Sequence, residues 1–250
     1  MTSEPILIAQ ESDFLVVSKP PNLLSHPTRL DGKPSLLGWL QEKFSGEFVA
    51  LVNRLDRETS GTVLVARSPE AASHLGTLTM RREIHKYYLA LVSGRAEKEH
   101  DVIDVPIGRL GISADNPIWL RQGFIAPDDT AARKAASART EYWRLAADDT
   151  LSLLRLQAHT GRLHQLRVHL AHIGHPVIGD KIYGPDPNLY LKFIAEGWTE
   201  EHQRLLGLPR HALHAHELRF SWNGREMTFT APLPEDMRSF TNAHFPNPSS

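Results

Sequence analysis

The chain has no cysteine among its 250 residues. That excludes disulfides, cysteine nucleophiles and thiolate metal sites, and it fits a reducing cytosol, the compartment expected here. Long apolar runs are missing as well: no uninterrupted stretch approaches the roughly 18 residues that a membrane helix needs, so no membrane partner is expected. The N-terminus, from Met1 to Phe14, has no basic region followed by a long apolar one and does not read as a secretory leader. Excess charge of one sign is absent, the formal net charge being −1. This counts against a bulk nucleic-acid coat, which is usually strongly basic. It leaves room for an enzyme that gathers positive charge in one cleft. Neither a G-x-G-x-x-G fingerprint nor a P-loop occurs, and no H-E-x-x-H either.

What is present is the composition of an ordinary soluble protein, 41% hydrophobic and 23% charged. The length allows one large domain or two small ones, at roughly 100–200 residues each. Ile6 to Ala9 and Phe14 to Val17 read as strands, the second stopped by Lys19–Pro20–Pro21. Ser35 is placed to cap a helix running to about Phe44, and Ser68–Pro69 to open one running to about Arg82. Thr62 to Ala66 is a continuous apolar run, the pattern of a buried strand. Tyr87 to Val92, Thr140 to Leu145 and Leu151 to Gln157 are further strands. Residues 109–139 show no periodicity and read as a long loop or small insertion.

His164 to Ile173 is predicted to be a helix with Leu163, Leu166, Leu170 and Ile173 as its apolar stripe, closed by Gly174 and Pro176. Leu213–Phe220 and Glu226–Thr230 are expected to pair through an Asn223–Gly224 turn, and residues 242–250 to fray. Strands and helices mix without strict alternation, so the expected class is α+β.

The chemistry concentrates in Asn53–Arg54–Leu55–Asp56–Arg57–Glu58–Thr59–Ser60–Gly61, between two apolar segments. Thr-Ser-Gly is turn chemistry, so Asp56 falls on a loop held between core-forming strands. From the residues alone two readings stand: a local ion pair with Arg54 or Arg57, and a reactive carboxylate on a rigid mount. Tyr88 lies in an apolar strand and reads either as a core tyrosine or as an aromatic face with a usable hydroxyl. Tyr87, pointing to the other face, reads as structural. His159, His164, His169, His172 and His175 crowd one region, but helical spacing spreads them in several directions. A histidine-ligated hydrolase is therefore a minor alternative, and no metal is expected.

The segment from Asn53 to Ala66 resembles the signature of RluA-type RNA pseudouridine synthases: H-R-L-D-x-x-T-S-G followed by an apolar strand and alanine. Only Asn53 departs, standing where the family has histidine. Further blocks resemble the family in order. They are Leu15–Pro21 with His26–Pro27, Lys86–Ala90 ending at Gly94, Thr160–Leu170, Gly174–Asp180 with Tyr183–Gly184, Leu213–Ala215, and Ala231–Pro234.

The resemblance implies a pseudouridine synthase fold: a mixed, mainly antiparallel sheet with flanking helices and a catalytic cleft. It implies a cofactor-free isomerase that acts on uridines of transfer or ribosomal RNA. Asp56 matches the nucleophile, Tyr88 the active-site tyrosine, and Arg54 the arginine that enters the RNA near the flipped base. The family sets an arginine of the G-R-x-H-Q block beside the aspartate. Arg162 and Arg167 are the candidates, and Arg162 is favoured. Leu166 packs on the base or in the core. Arg81, Lys86 and Arg167 are candidate RNA contacts. One catalytic domain over 1–241 is expected, without a separate N-terminal RNA-binding domain, and monomer is the default state. The competing reading is an RNA-binding protein without catalysis, with Asn53 as the one feature in its favour.

Overall fold

In the computed structural model, residues 4–27, 34–110, 117–126 and 135–246 are described. In chain order the strands are β1 Ile6–Gln10, β2 Phe14–Lys19, β3 Ala50–Leu51, β4 Ser60–Ala66, β5 His85–Ser93, β6 His100–Asp104, β7 Ile107–Arg109, β8 Gln122–Phe124, β9 Arg139–Ala147, β10 Leu151–Ala158, β11 Leu213–Trp222 and β12 Arg225–Thr230. The helices are α1 Leu36–Lys43, α2 Pro69–Met80, α3 Gln165–His172, α4 Asn188–Glu196, α5 Glu200–Leu206 and α6 Glu235–His244. The chain forms two compact units. One comprises Met1–Tyr88 with Leu213–Glu235, the other Leu89–Ala212 with Asp236–Ser250, and β5 runs from the first into the second.

The first unit is a sheet in the order β1-β2-β4-β11, with β3 added to β4 and β12 to β11. β2 pairs antiparallel with β4, whereas β11 pairs with β4 in parallel through His214–Ser60 and Ala215–Gly61. Both faces of this sheet are covered. Phe14, Val16, Leu64 and Ala66 pack under α2 with Ala71, Leu75 and Leu78. Leu15, Val17, Val63 and Val65 pack on the other side with Leu36 and Leu40 of α1. Successive side chains point to opposite faces, so a strand packed on both sides is apolar on both. That is why Phe14–Val17 of β2 and Val63–Ala66 of β4 read as unbroken apolar runs.

Local chemistry sets the ends of these elements. Ser35 Oγ accepts from Gly38 N at 3.1 Å, and Ser68 Oγ accepts from Ala71 N at 3.1 Å. Each satisfies one orphan donor of a helix N-terminus. β11 and β12 turn at Asn223–Gly224, with φ of 50° and 74°, the positive pair that a two-residue hairpin requires.

The second unit carries the order β5-β10-β9-β6 and, apart from it, the two-stranded sheet β7-β8. The α+β expectation and the mainly antiparallel sheets hold. Three local expectations are corrected. The aperiodic stretch 109–139 contains β8, which pairs antiparallel with β7; residues 111–116 and 127–134 lie outside the described ones. The α3 stripe holds at Leu166 and Leu170 but fails at Leu163, which is 45% exposed, and the residues between them, Arg167 and His169 included, are buried as well. α3 is an interior helix whose polar side chains have internal partners. At the C-terminus, α6 takes in residues 242–244 and Phe245 is buried, while residues 247–250 lie outside the described ones.

Gly61 shows how tightly β4 and β11 meet. Its φ is +115°, and a Cβ there would lie 2.1 Å from the Ala215 carbonyl oxygen. Gly61→Ala should therefore lose at least about 2 kcal/mol, from left-handed strain and forced separation of the strands. Urea unfolding checks this; an unchanged midpoint would mean that the strands yield freely.

Candidate active site

Asp56 lies on the connection between β3 and β4, and its neighbours are tied down one by one. Val52 N donates to Leu64 O at 2.8 Å. The Asn53 side chain then spans β4: its Oδ1 accepts from Leu64 N at 2.8 Å and its Nδ2 donates to Thr62 O at 3.4 Å. The residue that departs from the family pattern thus acts as a splint between the loop and the strand. Ser25 Oγ donates to Leu55 O at 2.8 Å and accepts from Leu55 N at 3.1 Å.

On the other flank stands Lys19, fully buried. Its Nζ donates to Pro20 O and Leu23 O at 2.9 Å and to Arg57 O at 3.1 Å. Three donors on three carbonyls offset the large cost of burying an ammonium. Thr59 N donates to Asp56 O at 3.1 Å and closes the turn. Asp56 is thereby bracketed by two residues whose backbones are fixed, while it is itself partly exposed. Leu55 points into the core and Arg54 and Arg57 point outward. Lys19 and Ser25 were not read as site residues from the sequence. The one signal was a lysine at the end of an otherwise apolar strand.

Tyr88 packs against the same apolar cluster that contains Leu55. Its hydroxyl is pushed well above the ordinary tyrosine value, first by burial and then by the negative charge of Asp56. The two expected residues are therefore within electrostatic reach of each other in one unit. Tyr87 lies under the Arg219 guanidinium, 5.3 Å from its ring. Lys86 is partly buried, and burial pushes its ammonium below the usual lysine range. Arg81 is exposed at the C-cap of α2.

Arg162, Leu166 and Arg167 belong to the second unit. Arg162 is exposed, with Nε donating to Ser137 O at 3.1 Å. Leu166 is buried. Arg167 is buried too, and grips Asp180 through Nε at 2.6 Å and Nη2 at 2.8 Å. Asp180 also accepts from the backbone N–H groups of Ile182 and Tyr183. Burial works against the Asp180 charge, but Arg167 and these donors outweigh it and hold the carboxyl well below the usual carboxylate range.

The other polar letters of the block are equally occupied. Gln165 Nε2 donates to Thr140 Oγ1 at 3.0 Å. His169 Nε2 faces the Val105 carbonyl at 3.1 Å, so it is the protonated nitrogen and Nδ1 accepts from Thr140 Oγ1 at 2.9 Å. Burial lowers the His169 pKa, which keeps that ring neutral. The neighbouring histidines turn to separate partners: His159 to Glu141, His164 to Tyr183 and His175 to Ser93 O. Among the described residues, no group of three or more His, Asp or Glu side chains is placed to hold a metal ion.

The family model described as RNA pseudouridylate synthase matches residues 13–172, a span that contains Asp56, Tyr88 and α3. The chain belongs to the RNA pseudouridylate synthase family. A ribosomal large subunit pseudouridine synthase D of Nitrosomonas europaea is 33% identical over 249 residues, covering 96% of this chain and 65% of that protein. The chain thus spans just under two thirds of that relative's length. Among solved structures, human RNA pseudouridylate synthase domain containing 4 superposes with a TM-score of 0.73 at 24% identity, covering 95% of this chain and 92% of that one. Human RNA pseudouridylate synthase domain containing 1 gives 0.69 at 27% identity, covering 92% and 83%. Both superpositions agree with a pseudouridine synthase fold.

Two outcomes follow for this family member. Because the folded Tyr88 value lies above the unfolded one, the native state holds that proton more tightly. Its contribution to stability is complete below about pH 10 and shrinks above it. An ultraviolet titration of wild type and Tyr88→Phe should coincide up to about pH 11, whereas a tyrosinate step near pH 10 present only in wild type would contradict the assignment. Asp180→Asn leaves the Arg167 charge buried beside a neutral amide and should lose about 3–5 kcal/mol in denaturant unfolding. A loss below about 1 kcal/mol would mean that Arg167 is adequately held without Asp180.

Proposed function

We propose that the protein isomerises uridines of ribosomal or transfer RNA to pseudouridine, with Asp56 as the nucleophile. The reaction breaks the N1–C1′ bond, turns the uracil and forms a C5–C1′ bond; C5 gives up a proton and N1 gains one. No electrons are exchanged overall. An ionised carboxylate in a partly dry setting is a competent covalent nucleophile, and Asp56 is a half-exposed carboxylate on a clamped backbone. The observation that carries this reading is that Leu55, next to Asp56 in the chain, and Tyr88 share one apolar cluster, with the Asp56 charge near enough to act on the Tyr88 hydroxyl. Tyr88 offers a ring face to the base and a protonated hydroxyl to the chemistry.

A paired or stacked uridine must be extruded first, at a cost of a few kcal/mol. Arg54, exposed two residues before Asp56, is placed to occupy the vacated space. Arg81 and Arg162, also exposed, suit phosphate contacts. A reading as an RNA-binding protein without chemistry drew on Asn53. The two hydrogen bonds from Asn53 to β4 give that residue a mounting role that leaves Asp56 in place. The name of the Nitrosomonas relative makes ribosomal RNA the first substrate to test.

Wild type and Asp56→Asn, without added metal or cofactor, are incubated with ribosomal RNA and with transfer RNA from cells lacking this protein. Pseudouridine is then mapped at single-nucleotide resolution. New pseudouridine is expected with wild type at discrete uridines, with a drop of at least about 10³-fold for Asp56→Asn, the scale of losing a nucleophile. Equal product from both proteins would remove Asp56 from the mechanism.

A further inference from the structure

We propose that the Ile118–Arg121 turn, with Leu110 and Phe124 beside it, is a stacking platform for unpaired bases of the RNA on which the protein acts; this rests on the reading as an RNA-modifying protein. Four of the eleven exposed large hydrophobic side chains among the described residues belong to it: Leu110, Trp119, Leu120 and Phe124, at 43%, 56%, 44% and 39% exposure. Isolated exposed hydrophobics are ordinary, but clusters mark contact sites.

The sequence of the turn is the informative part. Arg121 N donates to Ile118 O at 3.0 Å, so Trp119 and Leu120 occupy the two central positions of a tight turn. Polar residues, glycine and proline normally take those places. Meanwhile the base of the turn is anchored. Ile107 and Ile118 are sunk in a core with Val168, Ile182 and Tyr183, and Gln122 N donates to the Tyr183 hydroxyl at 2.9 Å. The apolar pair Trp119–Leu120 is therefore presented from a fixed mount.

Its chemistry fits a nucleic acid. The Arg109 guanidinium lies over the Trp119 ring at 4.5 Å, and His172 lies against Phe124 with ring centroids 4.9 Å apart. Residues 107–126 contain two arginines and a single acidic residue, Asp115. Aromatic faces interleaved with guanidinium groups accept any base by stacking and pair with phosphate by charge.

The test uses the full chain and two fluorescein-labelled probes, a mixed-sequence single-stranded RNA of about 12 nucleotides and the blunt duplex of the same sequence. Trp119→Ala should weaken single-strand binding roughly 5- to 150-fold, the range of one stacked base, and leave duplex binding unchanged. Trp119→Phe should keep most of the affinity. The loss in Trp119→Ala should be similar at low and high salt, while that in Arg109→Ala should shrink as salt rises.

Wild-type single-strand affinity in Trp119→Ala, or an equal fall on both probes, would overturn the proposal. So would a change confined to sedimentation, which would assign the turn to a second copy of the chain. Binding does not require turnover, so the two readings fail separately. Pseudouridine formation with a Trp119→Ala variant that binds normally sinks the platform alone. A Trp119-dependent affinity in a protein that modifies no RNA sinks the isomerase alone.

Discussion

The backbone polar groups of the Asp56 loop must find partners inside the protein, and the rest of the site depends on that. The loop is held between two strands of a sheet covered on both faces, where an unpaired N–H or C=O costs about 1–3 kcal/mol. Asn53, Ser25 and Lys19 take these groups up. Because the fixed points sit on Leu55 and Arg57, the side chain between them keeps its direction without being buried itself. A reactive group gains from this combination: accessible at the carboxylate, over-determined at the backbone.

The second unit solves the converse problem. From Gln165 to Leu170 α3 is buried on every side, so its arginine, its glutamine and His169 are each matched inside. Arg167 meets Asp180, Gln165 meets Thr140, and His169 meets Thr140 and Val105. Buried polar networks of this kind tolerate little change, since removing one member strands the next. A dense run of polar letters in that block is thus compatible with a structural role for several of them.

Much of this was legible in the sequence, for identifiable reasons. The β4 run, the Ser35 and Ser68 caps and the Asn223–Gly224 turn are set by local chemistry and were read from neighbouring residues. The blocks around Asp56, Tyr88 and Arg167 were legible because they resemble a family in order and spacing. Other features were not. α4 and α5 are nine and seven residues long, too short for a periodic stripe to stand out. The α3 stripe fell short because periodicity assumes an exposed face. The Ser25 and Lys19 contacts join residues 30 and 38 positions apart, and a single sequence carries no mark of such a pairing.

The union of β4 with β11 joins Ser60 to His214 across 154 positions, with Ser60 Oγ 2.9 Å from His214 Nδ1. The whole run from Leu89 to Ala212 lies between the two parts of the first unit. At roughly 5–20 residues per second of synthesis, the strand that carries Gly61 therefore waits on the order of 10–30 s for its parallel neighbour. Contacts of such long range also close slowly, because the loop entropy must be lost before the pairing compensates it. A growing chain can assemble β1, β2, β4 and α2 early, but β4 waits for its parallel neighbour until β11 emerges. The unit that bears Asp56 thus begins to form before residues 89–212 are made and is completed only after them, and a chain halted in between would carry the acid without its finished mount.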